Sequence, residues 1–105
     1  MRMLMNVKIP NTEFNTALKN GSASKIMNRI IEECAAEAVY FTEEQGYRAC
    51  ILVVNVDEPS KIPRLAEPWF LSFNASVEFK IVMTPEDLRR SGLEGLGQKL
   101  GELST

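Results

Sequence analysis

The chain opens on an alternation. Met3, Met5, Val7 and Ile9 are interleaved with Leu4, Asn6 and Lys8, which is the period of a half-buried strand. Pro10 cannot extend a central ladder, and Asn11-Thr12 begins a short helical stretch that Asn20-Gly21 should stop. Ser22 is placed to cap a second helix, in which Ile26, Met27, Ile30, Ile31 and Cys34 form an apolar stripe. Two strands follow over residues 37–43 and 47–56, joined by Glu44-Gln45-Gly46. A three-residue loop ending in glycine predicts a type I turn with a bulge. Ile62, Leu65, Ala66, Trp69, Phe70 and Phe73 then recur at helical spacing, with Pro68 inside the stripe as an expected kink. Val77, Phe79, Ile81 and Met83 alternate as a fourth strand. Thr84-Pro85-Glu86-Asp87 starts a last helix that frays through Gly92, Gly95, Gly97 and Gly101. Leu93, Leu96, Leu100 and Leu103 keep 3/4/3 spacing there, so the tail is expected to lie on something apolar.

The resulting order, β-α-β-β-α-β with a C-terminal helical extension, is the ferredoxin-like α+β plan. One domain spans residues 1–105, with residues 1–83 as core and 84–105 as extension. The three-residue loop would set Phe41 opposite Ala49 and Tyr40 opposite Cys50. Val39, Phe41, Ala49, Ile51 and Val53 would then lie under the helices. The open face would carry Leu4, Asn6, Lys8, Tyr40, Thr42, Arg48, Cys50, Leu52, Val54, Glu78, Lys80 and Val82. Leu4, Cys50, Leu52, Val54 and Val82 would form an apolar patch of the kind that marks an interface, so a second copy of the chain is the expected cover.

Composition narrows the chemistry. Of 105 residues, 45% are hydrophobic and 25% charged, and 12 basic against 14 acidic residues leave a net charge of -2. That balance does not favour nucleic acid. There is no histidine, which excludes a His-based triad or a His-ligated metal. Cys34 and Cys50 lack CxxC spacing and fit a reduced, cytoplasmic protein better than a disulfide framework. The longest apolar run, residues 49–54, is six residues and too short for a membrane span, and the first nine residues lack a secretory pattern. The late glycines lack the Lys-Ser/Thr of a phosphate loop, and the paired carboxylates fall on helix faces, a turn and a helix start. Neither a nucleotide nor a metal is expected.

The topology, the segment Lys61-Ile62-Pro63 through Leu65-Ala66-Glu67-Pro68-Trp69-Phe70, and Phe73-Asn74-Ala75 with Val82-Met83-Thr84-Pro85-Glu86-Asp87-Leu88 resemble the dimeric α+β barrels. That superfamily includes muconolactone isomerases, antibiotic-biosynthesis monooxygenases and uncharacterised bacterial proteins, and the segment looks like one of the last groups. The resemblance implies a dimer with two sheets packed face to face around a cavity; no cofactor is expected. It carries over no catalytic residue, because several such enzymes rely on a histidine absent here. From the residues themselves, Glu78 is a candidate proton-transfer group, and Tyr40 and Asn6 are candidate hydrogen-bond donors to an oxyanion. Lys8, Arg48, Cys50 and Lys80 are candidate binding groups. Two functions follow: a small-molecule-binding barrel able to act as a cofactor-independent enzyme by proton transfer or oxygenation, or a non-catalytic interaction or stress-related module with a filled dimer core. Cavity content separates them. Cross-strand pairing of Lys8, Glu78 and Lys80 is the plainer account of those charges.

Overall fold

A computed structural model describes residues 1–104. The order is β1 (Arg2–Ile9), α1 (Asn11–Lys19), α2 (Ala23–Cys34), β2 (Ala38–Glu44), β3 (Tyr47–Asn55), α3 (Lys61–Phe73), β4 (Ser76–Ile81), α4 (Pro85–Arg90) and α5 (Leu93–Ser104). The strands form one antiparallel sheet in the order β2-β3-β1-β4, the ferredoxin-like arrangement.

The β1 alternation is realised: Met5, Val7 and Ile9 are buried while Leu4, Asn6 and Lys8 point the other way, each partly exposed. On α2 the inward row is Ala23, Met27, Ile30 and Cys34, and on α3 it is Leu65, Ala66, Trp69 and Phe73. Trp69 and Phe73 are wholly buried, and Phe14 of α1 stacks on Phe73 with ring centroids 5.3 Å apart. Such a pair adds roughly 0.5–1.5 kcal/mol beyond its area. Pro68 lies within α3 without ending it. Asn74 closes that helix in the left-handed conformation (φ 54°), and Gly21 (φ 81°) takes the same region after α1. Ser22 stands at the start of α2, yet its side chain bonds Asn20 instead of the helix.

The hairpin departs from expectation. Its loop is two residues, Gln45 (φ 54°) and Gly46 (φ 82°), both left-handed, which suits the twist of the flanking strands. Glu44 therefore pairs with Tyr47, Phe41 with Cys50 and Tyr40 with Ile51. This one-residue change inverts β3. Cys50, Leu52 and Val54 face the helices and are essentially fully buried, opposite Val7, Met5 and Met3 of β1. Ala49, Ile51 and Val53 take the open face instead. Of the apolar patch expected there, only Leu4 is present, and Val82 lies beyond β4.

The C-terminal segment divides at Gly92 (φ 70°) instead of fraying as one helix. Thr84 forms a full capping box with Asp87. No residue of α4 is buried, and Leu93, Leu96, Leu100 and Leu103 of α5 are 53, 49, 52 and 77% exposed. The radius of gyration is 18.6 Å and the long axis 66 Å. A compact chain of this length has a radius near about 13 Å. The tail projects from the sheet domain.

Candidate functional site

Register fixes what the open face displays. Across the sheet, one row runs Tyr40, Ile51, Asn6, Glu78, and the next runs Ala38, Val53, Leu4, Lys80. A third row runs Thr42, Ala49, Lys8, Ser76. Strands spaced about 4.8 Å apart put Tyr40 two strands from Asn6, roughly 10 Å away. The centre is apolar, with Leu4, Ile51 and Val53 partly exposed and Tyr40 65% exposed.

One end is polar. Asn6, Lys8, Glu44, Gln45, Ser76 and Glu78 surround a depression of about 160 Å3. Asn6 Nδ2 donates to both oxygens of Glu44 at 3.5 and 3.4 Å, and Lys8 Nζ donates to Gln45 Oε1 at 2.6 Å. Lys8 also lies 4.7 Å from the Tyr47 ring centroid, a cation–π contact. At the other end Arg2 pairs with Glu37 at 3.1 Å. Thus Asn6, Lys8 and Glu78 are brought together, while Tyr40 and Lys80 share their face at a distance. Glu44 and Gln45 were missed because they read as loop, although the hairpin turn delivers them beside β1.

Arg48 and Cys50 do not belong to this face; the inverted β3 carries both to the helix side. Cys50 is fully buried, and burial pushes its thiol up to about 11. Burial also raises Cys34. A thiol so shielded stays protonated at neutral pH and is not exposed to solvent on either face of the sheet. Arg48 instead stacks on Phe14, with Cζ 4.8 Å from the ring centroid.

Among the described residues no cluster of three or more Cys, Asp or Glu is placed to hold a metal ion. Likewise, no helix among them is long and apolar enough to cross a membrane. In comparisons with known proteins, no family model matches the chain and no curated protein matches it significantly.

Proposed function

We propose that the protein is a homodimeric small-molecule-binding barrel, in which two open sheet faces meet and enclose a chamber. The single observation that carries this is the composition of the open face: an apolar centre of Leu4, Ile51 and Val53 beside a polar depression of Asn6, Lys8, Glu44 and Glu78. A dry, filled interface is the weaker alternative. It would bury Lys8, Glu78 and Lys80 together, and the desolvation cost of such groups commonly exceeds their mutual attraction. The apolar centre suits contact, and the polar end suits a wet pocket for a small, partly anionic molecule held by Lys8 and Asn6. Any reaction there would be cofactor-independent, with Glu78 moving the proton and Asn6 polarising the acceptor. The resemblance to dimeric α+β barrels, and among them to uncharacterised bacterial proteins, favours the same assembly.

The tail supports it independently. An isolated helix of about a dozen residues is marginal in water, and each interior glycine costs about 1 kcal/mol against alanine. α5 has 12 residues, including Gly95, Gly97 and Gly101, and its leucines are about half exposed or more. A second copy supplies the surface that would stabilise it.

Light scattering at micromolar concentration tests the assembly, and a monomer overturns it. A thermal-shift screen with small aromatic acids and lactones tests the chamber. Ligands of this site lose their stabilising effect in Lys8→Met and Glu78→Gln. An effect unchanged in both variants removes the site.

A further inference from the structure

On the helix side of the sheet, α1, α2 and the β2–β3 hairpin leave an open groove of about 330 Å3. Its walls are Ile9, Phe14, Leu18, Ala23, Met27 and Phe41. Leu18 and Phe41 are 50 and 64% exposed, so two of these six apolar walls are wet. One charged side chain stands among them, Arg48.

The state of that guanidinium is unusual. It is part-buried, it lies over Phe14, and among the described residues its one hydrogen bond is a long one, from Nη1 to Asn11 Oδ1 at 3.4 Å. The natural counter-ion is Glu43, its direct partner across the hairpin. Glu43 instead accepts the Gly46 N–H at 3.0 Å, a bond that belongs to the tight turn. Among the described residues, no carboxylate comes within 4.0 Å of Arg48. A guanidinium carries five N–H donors in a fork that matches a carboxylate. Most of that capacity is unused here, at the edge of an apolar groove whose volume lies at the small end of ligand sites.

We infer that this groove binds small apolar monocarboxylates, with the carboxylate paired to Arg48 and the hydrocarbon laid along Phe14, Met27 and Phe41. Both halves of the ligand are matched. The acid supplies the missing counter-ion, and the tail removes Leu18 and Phe41 from water. A phosphate would present more charge than one arginine answers and no apolar body for the walls. The site lies on the opposite face of the sheet from the chamber, and it stands or falls independently of the dimer.

The test is a titration of the full chain, followed residue by residue through its amide NMR signals, with octanoate and with octanamide as neutral control. Shifts are expected to centre on Phe14, Ala23, Met27, Phe41 and Arg48. Arg48→Met keeps an apolar stem and should weaken octanoate about tenfold or more while leaving octanamide unchanged, in line with the strength of a charge-assisted pair. Ser24→Trp, at an exposed position on the rim, should block both probes without disturbing the fold. Octanamide binding as tightly as octanoate to the unaltered protein would overturn the inference. So would shifts confined to Asn6, Lys8 and Glu78, or none at millimolar probe.

Discussion

The inversion of β3 makes neighbouring residues energetically unlike, and Leu52→Ala against Ile51→Ala measures this. Leu52 is fully buried, paired with Met5 and Val39 and part of the core that holds Trp69 and Phe73. Truncation there removes buried methyl groups and leaves a cavity that a close-packed core fills only in part, at a cost of about 3–4 kcal/mol. For a domain near this size, that lowers the midpoint of thermal unfolding by roughly 12–25 °C. Ile51 stands on the open face, partly exposed, between Asn6 and Tyr40. Its truncation costs about 1 kcal/mol in the single chain, because little of the removed surface was dry. Trp69 is the one tryptophan and is fully buried, so its fluorescence reports urea unfolding directly. The measurement needs two protein concentrations. A dimer that uses Ile51 makes the Ile51→Ala effect grow with concentration, whereas the Leu52→Ala effect in the dilute limit belongs to the chain alone. Equal losses from both variants at the lowest concentration would refute the register and with it the placement of Cys50 and Arg48.

Four further outcomes follow. Cys50 is held up to about 11 in the folded state, and the unfolded thiol titrates near 9.0, so stability is level below about pH 8 and falls as pH rises from 9 to 11. The loss approaches about 3 kcal/mol. Urea midpoints against pH show this fall, and Cys50→Ala reduces it to the part that Cys34, also raised by burial, contributes. Gly46→Ala meets no neighbouring atom but must hold φ 82°, so it costs about 1–2 kcal/mol of backbone strain alone, read from the same urea curves. Thr84→Ala removes the capping box and weakens α4 by about 1 kcal/mol. Amide exchange at residues 87–91 speeds up while global unfolding barely moves, since α4 buries nothing. Hydrogen bonds from the Thr84 N–H and then Arg90 hold the Asp87 carboxyl below its ordinary value. The stability this carboxyl contributes is therefore full above its ordinary value and is lost as pH falls from there through the depressed one. Leu96→Lys, on the exposed stripe of α5, leaves the monomer fold intact and shifts light-scattering mass towards one chain.

What could be seen in advance was set by how cleanly each segment alternates. β1 and β4 switch between apolar and polar at nearly every step, so Asn6, Lys8 and Glu78 were assignable to one face, and the structure gathers them there. The helices were legible for the same reason: the spacing of Leu65, Trp69 and Phe73 has no strand equivalent. β3 gives no such signal. Residues 49–54 are apolar without interruption, so either parity satisfies its pattern, and the choice passed to the turn. There Gln45 was misleading. Two-residue turns of this kind favour Asn, Asp or Gly at the first position, and a glutamine held at φ 54° is rarely anticipated. The leucine stripe of α5 was visible as well, but a stripe states only that a helix has a face to cover. What covers it depends on assembly, which periodicity does not encode.

That ambiguity has chemical consequences, because the two polar or reactive residues of β3 change environment with it. On the open face Arg48 would be one more charge beside Lys8 and Lys80, and Cys50 a half-exposed thiol beside a cation. Inverted, Cys50 joins Val7 and Leu52 in a dry layer where its ionised form is strongly disfavoured, and its chemistry is lost to packing. Arg48 moves to the margin of the same layer, where among the described residues its guanidinium bonds Asn11 and lies over the face of Phe14. A part-buried cation without a carboxylate partner carries a desolvation cost that its contact with Phe14 offsets in part. A hydrophobic ligand bearing one negative charge removes that cost and covers Leu18 and Phe41 at once. The sign of the stability change in Arg48→Met therefore bears on the groove before any ligand is added. A more stable variant marks a residue kept at the expense of the fold, whereas a large loss would mean that its stacking on Phe14 is structural.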